Sequence, residues 1–184
     1  MAKGKYLLAA LLAASAGPAI GAVTVIGNTS ARMCFEAADS PIQPSFRDMR
    51  YCDDALSEGA LSNHDTVATH VNRGILRLRR NQIDLAITDF DRAIELDPNQ
   101  PESYLNKGAA LIRLNNPSEA LRLFTVAIEH NTARPEIAHF GRAIANETLG
   151  NVREAYYDYQ RASELDPDWE DPRIELSRFR VVDE

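Results

Sequence analysis

Asn72-Arg73-Gly74, Ala86-Ile87, Phe90 and Ala93-Ile94-Glu95-Leu96-Asp97-Pro98 form a stretch that returns twice along the chain. Displaced by 34 residues it becomes Asn106-Lys107-Gly108, Ala120-Leu121, Phe124 and Ala127-Ile128-Glu129. Displaced by a further 35 it reads Gly141-Arg142-Ala143, Ala155-Tyr156, Tyr159 and Ala162-Ser163-Glu164-Leu165-Asp166-Pro167. A period of this length marks stacked structural units, each too small to bury its own apolar faces. Ala86, Phe90 and Ala93 fall at i, i+4 and i+7, one face of a helix. Gly74, Gly108 and Ala143 are small where a first helix crosses a second, so two helices can approach closely. Phe90, Phe124 and Tyr159 fill the space between them. Asp97-Pro98 and Asp166-Pro167 end the second helix, since proline drives its predecessor out of helical geometry. Asn81, Asn115-Asn116 and Gly150-Asn151 mark the turn inside each pair.

These units resemble tetratricopeptide repeats. The resemblance covers 67–100, 101–134 and 136–169, or 102 of the 184 residues. It implies an all-α fold, an α-solenoid of stacked antiparallel helix pairs wound as a right-handed superhelix. Two departures stand out: Arg73, Lys107 and Arg142 where the family often has leucine, and Thr132 in place of the second repeat's proline. Pro135 follows three residues later, so that exit turn is expected to be reshaped.

The flanks read as caps, which such arrays need at their ends. Residues 170–184 carry Asp171-Pro172, a helix-start signal, then Ile174, Leu176 and Phe179, with Trp169 packing beneath. Residues 23–66 form an N-terminal cap, with helices over 31–38 and 47–56 joined through Pro41-Ile42-Gln43-Pro44. Superposing Ala55 on Ala93 puts Cys52 at the aromatic core position, so 29–62 reads as a degenerate repeat in which Cys34 reaches Cys52.

Residues 1–22 have the three parts of a secretory signal peptide: Lys3 and Lys5, an uncharged Leu/Ala-rich run from Tyr6 to Ala16, and a small-residue exit at Ile20-Gly21-Ala22. The alternative is an uncleaved membrane anchor, which the shortness of the apolar run disfavours. Cleavage is expected after Ala22, with Ala14-Ser15-Ala16 as the second choice. Removal takes two positive charges and no acids from a formal charge of −7, leaving −9. The protein is thus expected to be periplasmic or secreted. Cys34 and Cys52 are its only cysteines, and an oxidising compartment favours a structural disulfide over two buried free thiols.

Net negative charge argues against nucleic acid, since no positive field displaces counterions from phosphates. It equally disfavours anionic lipid. No phosphate loop, nucleophile elbow or zinc-binding histidine pair occurs, so neither an enzyme nor a cofactor is expected. Of the four histidines, His64 and His130 are placed in connections. His70 and His139 share a phase two repeats apart without metal-ligand spacing, and read as packing residues. The in-phase row Arg73, Lys107 and Arg142 reads as structural, with Arg73 facing Asp89 and Arg142 facing Asp158. The alternative is a ladder for an acidic partner.

The resemblance implies a concave groove lined by the first helix of each pair. Its family positions fall on Asn72, Ile75 and Arg79 of the first repeat, and on Leu105, Asn106, Ala109, Ile112 and Arg113 of the second. The third supplies Phe140 and Ile144, and Val71, Leu78, Glu147 and Thr148 lie alongside. Asn72 and Asn106 are the candidates for gripping a peptide backbone, because an amide both donates and accepts. The basic clamp by which some family members hold a terminal carboxylate is incomplete, with Val71, Ile75 and Gly141 at its positions. The expected function is a non-catalytic adaptor or scaffold of the bacterial envelope that binds a protein or peptide segment. A self-associating structural protein is the alternative.

Overall fold

A computed structural model describes residues 21–27, 29–57 and 60–179, so the expected signal segment lies outside it apart from Gly21 and Ala22. The described residues contain nine helices and no strand. The first six are α1 Thr29–Asp39, α2 Phe46–Ser57, α3 Asn63–Arg79, α4 Ile83–Leu96, α5 Pro101–Arg113 and α6 Pro117–Glu129. Then come α7 Pro135–Leu149, α8 Val152–Leu165 and the short α9 Glu170–Leu176. Consecutive helices pair, and α1, α3, α5 and α7 also touch one another in series as an inner row. His64, expected in a connection, is the second residue of α3, because Ser62 caps that helix by accepting the Asp65 N–H at 3.1 Å.

Local chemistry sets each boundary. Pro101, Pro117 and Pro135 each open a helix, where the missing N–H costs nothing. Asn81, Asn115 and Gly150 take positive φ at the turn inside each pair, a conformation that asparagine and glycine tolerate best. The second repeat's exit is reshaped as expected. Asn131 takes a φ of 58° there, and the Thr132 N–H returns to the Ala127 carbonyl at 3.0 Å. Asp97 and Asp166 instead leave their helices extended and accept the N–H two residues on, at 2.9 and 3.2 Å.

The core repeats with the sequence. A side chain on Gly74 would overlap the Phe90 ring, and one on Gly108 would stand 3.0 Å from Phe124. Gly141 also faces Phe124, which is therefore wedged between two glycines on α5 and α7. In the third pair Tyr159 packs on Phe140 with ring centroids 5.4 Å apart, and Phe140 lies under Trp169 at 4.6 Å. Phe179 closes over Tyr156 and Tyr159, completing the C-terminal cap.

In the first pair a cysteine stands at the position that Phe90, Phe124 and Tyr159 hold in the later ones. Cys34 of α1 and Cys52 of α2 are instead disulfide-bonded, with Cα atoms 4.9 Å apart, and both are fully buried. Bridging across 18 residues of sequence restricts the unfolded chain, an effect of roughly 3 kcal/mol in the chain-entropy model. Reduction by a thiol, or the Cys34→Ser/Cys52→Ser pair, should lower the melting temperature by roughly 6–12 °C. Calorimetry with and without reductant checks this, and no shift would leave the bond without a structural role.

The basic row is structural. Arg73 holds Asp89 through Nε and Nη2, at 3.1 and 2.7 Å, while Arg77 reaches the same carboxylate at 2.7 Å and His70 at 3.1 Å. Arg142 and His139 hold Asp158 in the same way, both at 2.8 Å. The second repeat has Leu123 at the aspartate position, and Lys107 turns to Asp91 at 2.7 Å and Glu119 at 3.7 Å. His70 and His139 are thus hydrogen-bonding members of these clusters and do more than fill space.

Candidate functional site

The inner row of helices forms a groove, and an extended segment of the chain itself, residues 21–27, lies in it. Asn72 of α3 grips this segment by its backbone. Its Oδ1 accepts the Val23 N–H at 2.9 Å, and its Nδ2 donates to the Val23 carbonyl at 2.8 Å. A side-chain amide that reads both main-chain groups of one residue recognises an extended strand whatever side chains it carries. Three residues on, Asp65 accepts the Ile26 N–H at 3.0 Å. That bond is the main reason its carboxyl sits below the ordinary value, with burial opposing it.

The segment's side chains alternate in burial. Val23 and Val25 point inward and are buried, whereas Thr24 and Ile26 point to solvent, as an extended chain requires. The ends of the segment are tight. A Cβ on Gly27 would stand 2.6 Å from Asp65 Oδ2. Gly21, at a φ of 51°, sits over Glu102, Leu105 and Asn106, and a Cβ there would approach Glu102 Cγ to 3.0 Å.

Asn106 occupies the place in the second repeat that Asn72 holds in the first, yet it is only half used. Its Nδ2 donates to the Glu102 carbonyl at 2.7 Å and to the Gly21 carbonyl at a long 3.4 Å. Its Oδ1 is buried and has no hydrogen-bond partner among the described residues. An unsatisfied buried acceptor is costly and rare in folded proteins.

The other residues expected in the groove divide between the segment's surroundings and the core. Leu105 lies under Gly21. Ile112 and Phe140 belong to the second and third core clusters, whereas Ile75, one turn on from Asn72, is buried in the cluster that also holds Val23 and Val25. Ala109 and Ile144 are partly buried beside the second core cluster. Arg79 and Arg113 are half-buried and tied to neighbouring units. Arg79 donates to the Ser40 carbonyl at 2.5 Å, and Arg113 to the Leu78 carbonyl at 2.6 Å and Asn81 Oδ1 at 3.0 Å. Each caps backbone carbonyls of a neighbouring unit, where cations are favoured. The acids of the wall, Asp65 and Glu102, escaped the sequence reading because carboxylates in a first helical turn are ordinarily there for the helix dipole.

The comparisons agree with this architecture. Two family profiles match, one described as a TPR repeat over residues 65–115 and one as a tetratricopeptide repeat over 105–170. A DnaJ homolog subfamily C member 7 homolog of Schizosaccharomyces pombe is 31% identical over 114 residues, 60% of this chain and 24% of its own length. Human serine/threonine-protein phosphatase 5 is 28% identical over 130 residues, 71% of this chain and 25% of its own. The chain thus spans about a quarter of the length of these relatives. Among solved structures, the first TPR of Spaghetti (RPAP3) bound to the HSP90 peptide SRMEEVD superposes with a TM-score of 0.58 at 25% identity. That match covers 61% of this chain and 89% of the other. The two profiles together span 65–170, more than half of the chain, and with this recurring helix-pair geometry they make the protein a member of the tetratricopeptide repeat family.

Proposed function

We propose that the chain is a non-catalytic protein–protein interaction module, an adaptor or scaffold of the bacterial cell envelope, which holds an extended peptide segment in its concave groove. The observation that carries this reading is the double hydrogen bond from Asn72 to the main chain of Val23. The groove has the means to bind an extended chain, and it does so with one of its own. The HSP90 peptide named with the RPAP3 structure supports the peptide class of ligand. Its acidic sequence does not transfer to this groove, where Asp65 and Glu102 line the wall and Arg79 and Arg113 are spent on carbonyls. Export to a periplasmic or extracellular site is supported by the basic and apolar start of the chain and by the disulfide, which an oxidising compartment favours.

Crosslinking and affinity capture from the envelope of the source organism, with unaltered protein beside Asn72→Ala, tests the proposal. Loss of one buried amide that bonds the ligand backbone twice should weaken retention by about tenfold or more. Partners retained equally by both forms would show that binding does not use the groove.

A further inference from the structure

The resident segment fits the groove at one end and misfits it at the other. At Asn72 the main chain is fully engaged, and Val23 and Val25 are buried. At Asn106 the match fails. Gly21 has turned to positive φ, it offers its carbonyl at 3.4 Å, and no described residue donates to Asn106 Oδ1. A peptide that ran extended past both asparagines would place an N–H on Asn106 Oδ1, as Val23 does on Asn72. It would gain a buried hydrogen bond that the resident lacks.

We infer that residues 21–27, which stay whole on an exported chain cut at Ala14-Ser15-Ala16 and not after Ala22, are a built-in competitor for the groove, and that the ligand that displaces them is an extended peptide with β-branched apolar residues two apart. This rests on the groove being the binding site, and deepens it by naming the ligand chemistry and what holds the site closed. The ligand follows from the occupant. Alternate inward positions accept Val23 and Val25, the intervening side chains face solvent, and the backbone is read by amide and carboxylate groups that demand no charge from the ligand. A competitor on the same chain lowers apparent affinity by the fraction of molecules in which the groove is open. It also keeps two buried valines and three backbone bonds out of water until a ligand arrives.

The probe is a fluorescent, end-blocked peptide with the sequence of residues 21–27, Gly-Ala-Val-Thr-Val-Ile-Gly, and its control is a scrambled peptide with both valines adjacent. Anisotropy titration compares the full chain with Val23→Asp/Val25→Asp, which expels the segment without altering the groove wall. Gly27→Val is a second, milder opening, because its side chain would press on the Asp65 carboxylate. Circular dichroism confirms that both variants keep the helices. The expected result is at least a tenfold tightening in both opened forms, the change predicted when the closed state exceeds about nine-tenths of the population. Adding Asn72→Ala to an opened form should abolish it. Equal affinity in all three forms would overturn the competitor while leaving Asn72-dependent groove binding intact. A scrambled peptide that binds as well as the probe, or no binding by any form, would overturn the ligand chemistry; envelope crosslinking then judges the groove separately. A doubling of mass in the unaltered chain that Val23→Asp/Val25→Asp removes would place the segment in a second copy, and would equally overturn it.

Discussion

Replacing Asp89 with alanine should destabilise the protein by about 3–5 kcal/mol, the range for breaking a buried ion pair from one side. Asp89 is 1% exposed and accepts from Arg73, Arg77 and His70 at once. Its removal leaves two guanidinium groups, both largely enclosed, with one partner for Arg73 in the partly exposed Asp53 and none of that quality for Arg77. Lys107 in the next repeat shows that the position does not demand an aspartate in every unit, provided other acids are within reach. None replaces Asp89 here. Urea titration of Asp89→Ala against unaltered protein measures the loss, and a change below 1 kcal/mol would mean that the cluster is dispensable. The same carboxylate gives a pH signature. Burial pushes the Asp89 carboxyl up, but hydrogen bonds from His70 and Arg73 and the two nearby guanidinium charges outweigh it and hold the group below its ordinary 3.8. A depressed folded value means the native state binds the proton less readily than the unfolded chain. The contribution is therefore complete above about pH 4 and lost as the pH falls through the folded value. Asp158, held by His139 and Arg142 against the same burial cost, shifts in the same direction. The acid limb of the stability curve should flatten in Asp89→Asn and flatten further when Asp158→Asn is added.

The repeat was legible because its physics is local and periodic. Glycine or alanine faces an aromatic ring once per unit, and the alternation survives as a pattern of residue types. The pairing of Arg73 with Asp89 and Arg142 with Asp158 was legible for the same reason, because both partners kept their phase. The disulfide followed from an even cysteine count in an oxidising compartment, and its place in the fold from Cys52 occupying the aromatic position. The groove was legible only in part. Family phase located Asn72 and Asn106, but it could not tell an isoleucine that faces the groove from one that faces the partner helix: Ile75 clusters with Val23 and Val25, and Ile112 with the second core. Nor did it reveal that Arg79 and Arg113 are consumed by carbonyls 39 and 35 residues earlier, since those contacts depend on how the units stack. The largest omission was the resident segment. Gly21-Ala22-Val23-Thr24-Val25-Ile26-Gly27 carries the alternation of an extended strand, a signal that was present, among described elements that are otherwise helical.

Phe124→Ala should cost about 3–5 kcal/mol, and the loss should depend on a glycine 17 residues away. The ring is buried among α5, α6 and α7, and its two flanks are Gly108 and Gly141. Neither glycine has a side chain that could fold into the cavity left by truncation, so the site collapses poorly and the cost falls at the upper end of the range. Gly141 is the sharper constraint. It stands in phase with Asn72 and Asn106, and a Cβ there would overlap the ring, whereas at Gly108 the approach is 3.0 Å. Gly141→Ala in the unaltered protein should therefore destabilise by about 1–3 kcal/mol through overpacking. In the Phe124→Ala background the same methyl enters the cavity and brings the helix preference of alanine over glycine, about 1 kcal/mol. The sign should reverse. A double-mutant cycle measured by chemical denaturation tests this, with a coupling of about 2 kcal/mol or more expected for residues in contact. Additive losses would mean that the backbones of α6 and α7 can move apart to admit the methyl, and that the close approach between them is not what holds this pair of repeats in register.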